Sequence, residues 1–415
     1  MNEFKKICVL GLGYVGLPTA AIFASRGVQV IGVDINETTV ETINQGKIHI
    51  IEPGLYLMVN EAVSMGKLIA DPQPQPSDAY IIAVPTPLTK ANQPDLTFIE
   101  AATRSIAPVL KKGALVILES TSPIGTTEKI CQWLSQERDD LSFPNVAGDE
   151  ADIQVSHSPE RVLPGNVLIE LVNNDRVVGG ISPKCARRTK QLYKIAVKGK
   201  CLLTTAATAE FIKLSENAYR DVNIAFANEL SIVADKIGIN IWQAVKLANH
   251  HPRVNILQPG PGVGGHCIAV DPWFIVDSAP DNTPLIKSAR KVNDGKPNHI
   301  VEKILATAYK KGATTVACLG LAYKANIDDM RESPAVTITA TLTERFDGEV
   351  LVVEPNIKTL PDTLADTKGL TLCDLDLALE KAQIIALLVD HQEFQVLDPI
   401  LLNDKVIIDT RGIWS

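Results

Sequence analysis

The chain has 415 residues, more than one ordinary hydrophobic core holds, so two or three domains are expected. Hydrophobic residues make up 46% and charged residues 21%, as in soluble globular proteins, and no run of about 18 apolar residues predicts a membrane span. The net charge of −8 offers no basic surface for nucleic acid, and the seven scattered cysteines include no CxxC pair, which favours a reducing cytoplasm.

Apolar runs alternate with helical patterns in the first part of the chain. A helix is predicted at 18–25, and strands are predicted at 7–12, 29–35, 79–87 and 114–121. The proline-rich spacer 71–77 is predicted to be a surface loop. This alternation predicts an α/β fold with a parallel, doubly wound sheet.

The middle of the chain has a different pattern. A long helix without proline or interior glycine is predicted over 205–237, and the segment QPGPGVGGHC at 258–267 is predicted to be a loop. A second α/β alternation starts near residue 314, with buried strands in TVACLGLA, EVLVVEP, QIIALLVD and KVIIDT. Two α/β domains joined by a helical middle are therefore expected, and the two ends are candidates for distantly similar units.

A glycine motif follows the first strand. Gly11, Gly13 and Gly16 form GxGxxG between a strand and a helix, where they allow a tight turn, close approach of a pyrophosphate and close helix packing. Asp34 ends the second strand, where its carboxylate can accept from ribose hydroxyls, and no arginine follows closely. The pattern predicts an NAD site in preference to NADP; a Rossmann-like sheet without a ligand is the alternative.

The second α/β unit starts with a related turn, GLAYKAN at 320–326. The second and third motif glycines are absent, so we expect no dinucleotide there. Its cations Lys324, Arg331 and Arg411 are candidates for phosphate or cofactor contacts, with an ordinary surface position as the alternative.

Cys267 ends the glycine-rich loop, where a substrate can approach more closely than at Cys8 or Cys318 in apolar strands. A helix beginning just after Cys267 would favour its thiolate. The loop therefore predicts a nucleophilic cysteine, with buried packing as the alternative.

Three polar residues share one face of the long helix. Lys213, Asn217 and Arg220 lie at i, i+4 and i+7, so a lysine and an amide one turn apart are available as donors to an oxyanion. A solvated helix edge is the alternative. The histidines His250, His251 and His266 near Cys267 match no standard zinc spacing, so no metal is predicted. One of them is expected to contact a nucleotide or hexose, with a helix-capping or core position as the alternative.

Longer blocks of sequence carry a specific resemblance. Over its whole length the chain resembles the UDP-glucose/GDP-mannose dehydrogenase family, in the blocks GLGYVGLP (11–18), VPTP (84–87), ESTSPIGTT (119–127), SPERVLPG (158–165), KLSENAYRDVNIAFANEL (213–230), GVGGHCIAVDPW (262–273) and AYKANIDDMRESP (322–334). The resemblance implies an NAD-binding Rossmann domain at 1–200, a central helical dimerisation region at 201–300 and a UDP-sugar-binding α/β domain at 301–415.

The resemblance also implies a four-electron oxidation of a sugar alcohol to an acid, which reduces two NAD. Cys267 is implied as the covalent nucleophile, Lys213 and Asn217 as stabilisers of the alkoxide, and Asp271 as the residue that orients a water or Lys213. Glu160 is implied in hydrolysis of a thioester, with Thr121 holding the water.

Contacts are implied for two further sets of residues. Those for the cofactor, besides the three motif glycines, are Tyr14, Val15, Asp34, Thr86, Thr127 and Arg331. Those for the substrate, besides Lys213 and Asn217, are Arg161, Val162, Arg220, His251, Arg253, Gly264, Tyr323, Lys324 and Arg411. Arg253 is expected to reach the site of a neighbouring subunit, which implies a homodimer. Family members often have lysine where Arg411 stands, so the donor geometry differs there.

The block at 251–274 is most similar to family members that oxidise UDP-N-acetylmannosamine. Val270 stands where UDP-glucose dehydrogenases usually have lysine, and Arg161 stands where they usually have an aromatic residue. UDP-N-acetylglucosamine and UDP-glucose are the alternative substrates. The product is expected to be an activated uronic acid for cell-envelope polysaccharides such as enterobacterial common antigen. A two-electron hydroxyacid dehydrogenase and a non-catalytic nucleotide-sugar or NAD sensor are the rival functions.

Overall fold

The computed structural model describes residues 3–163, 165–265 and 267–414. They form two compact units: residues 1–216 with 273–280, and residues 217–272 with 281–415. Within the described residues, no helix is long and apolar enough to cross a membrane.

The strands of the first unit form one sheet of eight strands within the described residues, in the order β3-β2-β1-β4-β5-β6-β7-β8. Neighbouring strands are parallel except β6 and β7, which are antiparallel. The elements from the N-terminus to the start of the long helix are β1 (Lys6–Leu10), α1 (Gly16–Ser25), β2 (Gln29–Val33), α2 (Glu37–Asn44), α3 (Leu55–Ser64), β3 (Leu68–Asp71), β4 (Ala79–Ile82), α4 (Thr97–Ile106), β5 (Leu115–Leu118), α5 (Thr126–Glu137), α6 (Pro144–Ala147), β6 (Gln154–His157), α7 (Val167–Asn173), β7 (Arg176–Gly180), α8 (Pro183–Tyr193) and β8 (Cys201–Thr205).

Both faces of this sheet are covered by apolar packing. Along β1, Ile7 and Val9 belong to one buried cluster, whereas Cys8 and Leu10 belong to the cluster on the opposite face. Strands buried on both faces read as continuous apolar runs, which is why β1, β2, β4 and β5 were predictable. Asp71 closes β3 and is not part of the loop that the proline-rich spacer predicts.

The rest of the chain contains the long helix and the second sheet. The helix predicted at 205–237 is confirmed with a start one residue later. The elements are α9 (Ala206–Ile237), α10 (Ile241–Ala248), α11 (Asp271–Ser278), α12 (Pro284–Lys311), β9 (Thr315–Leu319), α13 (Pro334–Arg345), β10 (Glu349–Val353), α14 (Asp362–Ala365), β11 (Leu370–Leu372), α15 (Leu375–Lys381), β12 (Ile384–Leu387), α16 (Gln392–Gln395) and β13 (Val406–Asp409).

The sheet of the second unit repeats the order of the first. Its parallel strands run β11-β10-β9-β12-β13, which matches β3-β2-β1-β4-β5 position by position. Gly320 follows β9 with φ +92°, as Gly11 follows β1 with φ +87°. A Cβ on either glycine would lie 2.4–2.5 Å from backbone or side-chain atoms just after β12 or β4. The two ends of the chain are therefore similar units, and the α/β fold class is confirmed.

Candidate active site

The turn after β1 has the shape of a phosphate-binding turn. A Cβ on Gly16 would lie 1.8 Å from the carbonyl oxygen of Gly11, so only glycine allows α1 to start this close to the strand. A Cβ on Gly13 would meet no atom within 4 Å. Gly13 thus borders open space at the N-terminus of α1, where the helix dipole and unsatisfied N–H groups favour a pyrophosphate.

Asp34 lies at the end of β2 beside this turn. Its Oδ2 accepts from the backbone N–H of Leu12 at 3.0 Å, and its Oδ1 accepts from that of Asn36 at 2.9 Å. The side chain is half-buried, and each carboxylate oxygen keeps a lone pair for a ribose hydroxyl. These residues fit the adenosine half of NAD.

The other residues predicted to contact the cofactor have varied settings. Val15 is the residue before α1, and Tyr14 packs against the buried cluster beneath it. The Thr86 hydroxyl is buried without a hydrogen-bond partner among the described residues, as expected of a group whose partner is a ligand. Arg331, in the second unit, is exposed and donates to Asp329 through Nε and an Nη.

Thr127 forms hydrogen bonds to a carboxylate of the long helix. Its backbone N–H and its hydroxyl both donate to Glu210 Oε1, at 2.8 and 2.6 Å, and the N–H of Gly125 donates to Oε2 at 2.7 Å. Glu210 therefore caps the N-terminus of α5. Contact between Thr127 and the cofactor stays a prediction.

The second unit has a carboxylate at the position equivalent to Asp34. Glu354 follows β10, and its Oε2 accepts from the N–H groups of Leu321 and Ala322 in the turn after β9. The buried ring of His391 lies 3.1 Å from the same oxygen. Glu354 is therefore buried and bonded to an imidazole, whereas Asp34 is half-buried. That this turn binds no dinucleotide stays a prediction.

The cysteine loop carries an exposed thiol. The carbonyl oxygen of Cys267 accepts from the N–H groups of Val270 and Asp271, at 3.1 and 2.8 Å, so Cys267 lies one turn before α11. The Asn217 amide donates to Asp271 Oδ2 at 2.5 Å, and both side chains are buried. The structure thus brings Asn217, Asp271 and the Cys267 turn together.

The glycines of this loop have a packing role that the sequence did not indicate. A Cβ on Gly264 would lie 2.5 Å from the Glu332 carbonyl oxygen and 2.9 Å from the Tyr323 Cβ, and one on Gly265 would lie 2.9 Å from the Tyr323 ring. The loop therefore lies directly against the turn that carries Tyr323 and Lys324. At the loop's start, the N–H of Gly260 donates to the buried Asn228 of α9 at 2.8 Å.

The remaining predicted substrate residues of the second unit are cations and a histidine. Arg220, His251, Arg253 and Lys324 are exposed, and Arg411 donates from Nε to Asp390 at 2.8 Å. His266 lies outside the described residues. Among the residues that are described, no group of three or more His, Cys, Asp or Glu is placed to hold a metal ion.

The first unit carries Glu160 on the loop after β6. Glu160 Oε1 accepts from the N–H of Arg161 at 2.6 Å, and Oε2 accepts from Arg176 at 2.5 Å. Arg161 donates to Glu216 at 2.9 Å, and the neighbouring Val162 packs against the buried cluster of the first sheet. Thr121 is half-buried just beyond β5.

Lys213 lies on α9, one turn before Asn217, and both side chains are about nine-tenths buried. Lys213 and Asn217 therefore do not lie on a solvated helix edge, which was the alternative interpretation of the sequence pattern. Burial, and after it the Lys213 ammonium, lower the pKa of the buried His157 at the end of β6 to about 3. An uncharged imidazole therefore lies near Lys213 throughout the neutral pH range.

Sequence reasoning did not find Glu119 and Arg176. Glu119 follows β5 and Arg176 opens β7, and the guanidinium donates to Glu119 at 2.8 Å with both residues buried. The sequence does carry one indication, a glutamate directly after the apolar run ALVIL. A carboxylate at that position is buried and therefore requires a buried partner. The partner could not be identified, since β7 was not predicted.

An NAD-type turn, an exposed thiol and a buried lysine and asparagine are features that an NAD-dependent dehydrogenase requires. The sequence models of the UDP-glucose/GDP-mannose dehydrogenase family match this chain in three consecutive parts: the NAD binding domain at 5–197, the central domain at 207–295 and the UDP binding domain at 317–415. The chain belongs to this family, so the resemblance found in the sequence, the NAD cofactor and the dehydrogenase class are confirmed.

Individual relatives cover the whole chain. An NDP-N-acetyl-D-galactosaminuronic acid dehydrogenase from Ralstonia nicotianae is 58% identical over 100% of this chain and 97% of its own length. A UDP-N-acetyl-D-mannosamine dehydrogenase from Campylobacter jejuni is 58% identical over 98% of this chain and 99% of its own. The structure of a UDP-D-ManNAc dehydrogenase from Pyrococcus horikoshii is similar with a TM-score of 0.89 at 40% identity, covering 98% of this chain and 96% of that one.

Proposed function

We propose that this chain oxidises C6 of UDP-N-acetyl-D-mannosamine to the carboxylate of UDP-N-acetyl-D-mannosaminuronate, with two NAD reduced per sugar. The observation that carries the chemistry is the Asn217–Asp271 pair next to the exposed Cys267, in a chain of the nucleotide-sugar dehydrogenase family. Bound NAD supplies a hydride acceptor for each of the two oxidations.

In the first oxidation, Lys213 and Asn217 stabilise the alkoxide that forms at C6. Lys213 first releases a proton to solvent and then takes up the hydroxyl proton. The product is an aldehyde. The Cys267 thiolate then attacks the aldehyde carbon, and the new alkoxide of the thiohemiacetal is held by the same two donors. The second hydride leaves from this tetrahedral carbon and gives a thioester on Cys267.

Hydrolysis completes the reaction. Water held by Thr121 attacks the thioester carbonyl, Glu160 takes one water proton, and the C–S bond breaks to release the Cys267 thiolate. The sum is one alcohol, two NAD⁺ and one water converted to one carboxylate, two NADH and three protons. Asp271 keeps the Asn217 amide oriented throughout, as their 2.5 Å contact supports.

The relatives support UDP-N-acetyl-D-mannosamine as the substrate, but they add one further candidate sugar. Relatives named as UDP-N-acetyl-D-mannosamine dehydrogenases, from Campylobacter jejuni and Escherichia coli, are 58% and 54% identical over nearly full length. The Ralstonia relative, at 58%, is named for an N-acetylgalactosaminuronic acid. UDP-N-acetylgalactosamine therefore joins UDP-N-acetylglucosamine and UDP-glucose as a substrate to be tested.

We place NAD binding in residues 1–200, dimerisation and the thiol in 201–300 and UDP-sugar binding in 301–415. An apolar stripe on α9 supports a homodimer: Tyr219, Phe226, Val233 and Ile237 are all about half exposed or more, at heptad-like spacing. Such a stripe on a helix is typical of a helix–helix interface. The product would enter cell-envelope polysaccharide synthesis from the cytoplasm, as a substrate for a uronosyl transfer.

A panel of UDP-hexoses and UDP-N-acetylhexosamines, followed by NADH absorbance and product chromatography, tests this function. The expected result is highest kcat/KM for UDP-N-acetylmannosamine and two NADH per uronate. One NADH with release of aldehyde would instead identify a two-electron dehydrogenase. NAD binding without turnover of any sugar would identify a sensor.

A further inference from the structure

A buried arginine bonds to the side chain that is proposed to activate the hydrolytic water. Arg176, at the start of β7, donates through one Nη to Glu160 Oε2 at 2.5 Å and through the other to Glu119 Oε1 at 2.8 Å. Its guanidinium carbon lies 4.2 Å from the centre of the Tyr193 ring. The side chain of Arg176 is only 6% exposed.

Glu119 bonds to the other Nη of Arg176 and has further donors of its own. Its Oε1 also accepts from the Tyr193 hydroxyl at 3.2 Å, and its Oε2 accepts from the Thr19 hydroxyl of α1 at 3.2 Å. Burial raises the pKa of the Glu119 carboxyl, and Arg176 opposes this rise. Burial also disfavours the charge on Arg176, but the carboxylates of Glu160 and Glu119 outweigh it and raise the pKa of the guanidinium.

The Glu160 carboxylate is fixed by two donors. Besides the bond to Arg176, its Oε1 accepts from the Arg161 N–H at 2.6 Å. Each carboxylate oxygen has two lone-pair sites, so each keeps one for a further donor such as water. The far end of the same loop is held by Glu52, which accepts from the N–H groups of Gly165 and Val167 at 2.8 and 2.7 Å.

We infer that Arg176 is a positioning residue for thioester hydrolysis: it holds Glu160 so that the carboxylate can take a proton from the attacking water, and Glu119 with Tyr193 holds Arg176. The inference rests on the proposed function. In this step the water oxygen bonds to the thioester carbon, one water proton passes to Glu160, the C–S bond breaks, and Cys267 leaves as thiolate. The product acid then loses its proton to solvent.

Arg176→Lys tests the inference, because lysine keeps the charge but lacks the planar fork that bonds to two carboxylates at once. With wild type as reference, the first hydride transfer should stay within about twofold, whereas hydrolysis should slow by about tenfold or more. The thioester should then accumulate, visible as a covalent sugar-nucleotide adduct on Cys267 by intact-protein mass spectrometry in the presence of NAD and UDP-N-acetylmannosamine.

Arg188→Lys is the matched control, because it makes the same change at an arginine of α8 whose guanidinium donates to the Gly113 carbonyl oxygen and to Glu3. Its ratio of adduct to product should equal that of wild type. If Arg176→Lys does not fold, the double variant Arg176→Gln/Glu119→Gln removes the buried ion pair as a unit and should accumulate the same adduct.

Equal slowing of both oxidation and hydrolysis in Arg176→Lys, or a wild-type ratio of adduct to product, would overturn the inference. Failure of the proposed function looks different. In that case wild type and Arg188→Lys also form no adduct and release no uronate from any UDP-sugar.

Discussion

The side-chain amide of Asn217 donates to the carboxylate of Asp271 over 2.5 Å, and this bond joins the long helix to the first residue of α11. A buried amide bonded to a carboxylate has a fixed orientation, since its nitrogen must face the acceptor. The direction of its second N–H is thereby fixed as well, which suits the proposed role as donor to a developing negative charge. In the proposed reaction, that charge lies on the oxygen bonded to C6 in both oxidations.

Asn217→Ala should lower kcat by about 10²–10³-fold, the usual loss for one oxyanion donor. KM for the sugar should change much less, because the contact strengthens in the transition state. Steady-state NADH absorbance measures both. The control is Asn223→Ala on the same helix, whose amide bonds to the carbonyl oxygen of Tyr219 and which should keep near wild-type kcat. Equal losses in the two variants would refute the oxyanion role.

Cys267→Ser should abolish uronate formation, because a serine hydroxyl is a far weaker nucleophile toward the aldehyde than a thiolate. NADH stoichiometry and chromatography of the sugar products give the measurement. Cys201→Ser, at the half-buried cysteine of β8, should retain full activity. Unchanged uronate yield in Cys267→Ser would exclude a covalent thioester.

Gly13→Ala and Gly16→Ala should separate cofactor binding from folding. The Cβ of Gly13→Ala enters open space, so the melting temperature should stay unchanged while NAD affinity falls about tenfold, or about 1.4 kcal/mol. The Cβ of Gly16→Ala would lie 1.8 Å from the Gly11 oxygen and should destabilise the fold by about 1–3 kcal/mol. Calorimetric titration and thermal unfolding check the two effects; undiminished NAD affinity in Gly13→Ala would contradict the assigned site.

His157 should make the protein sensitive to acid. Its pKa is about 3 in the fold, against an ordinary 6.5, so the unfolded state binds the proton first as pH falls. The neutral ring makes its full contribution to the free energy of unfolding above pH 6.5. Between pH 6.5 and 3 the free energy of unfolding falls by about 1.4 kcal/mol per pH unit. Chemical denaturation across this range should show a shallower loss for His157→Gln than for wild type, with the exposed His250→Gln matching wild type.

Phe226→Glu should dissociate the proposed homodimer, because it places a charge in the centre of the apolar stripe on α9. Sedimentation velocity at micromolar concentration should show a monomer. Lys311→Glu, an exposed change at the end of α12, should leave the dimer intact. If the wild-type protein is itself a monomer, the apolar stripe on α9 is not a dimer interface.

The sequence predicted the elements whose physical signals are local. Strands β1, β2, β4 and β5 are buried on both faces and appear as apolar runs, and the Gly11–Gly16 turn and Cys267 lie in motifs of fixed spacing. Strand β8 is an edge strand with exposed leucines, so its pattern does not differ from that of a surface segment.

The pairs of side chains that form buried hydrogen bonds could not be predicted, because they join distant parts of the chain. Arg176 lies 57 residues from Glu119, and Glu354 lies 37 residues from His391. No periodicity selects such pairs. The packing of Gly264 and Gly265 on Tyr323 is of the same kind. The sequence predicted a loop close to substrate, and the structure adds the Tyr323 ring, which a Cβ on Gly265 would approach to 2.9 Å.

The buried contact between Glu354 and His391 bears on how two cofactor molecules are used in one reaction. With the carboxylate of the second sheet covered, the described chain has one open dinucleotide turn, the one beside Asp34. A four-electron oxidation at a single turn requires one reduced cofactor to depart and a fresh oxidised one to arrive between the two steps. In the proposed reaction, the half-oxidised sugar is retained across this exchange by its covalent bond to Cys267.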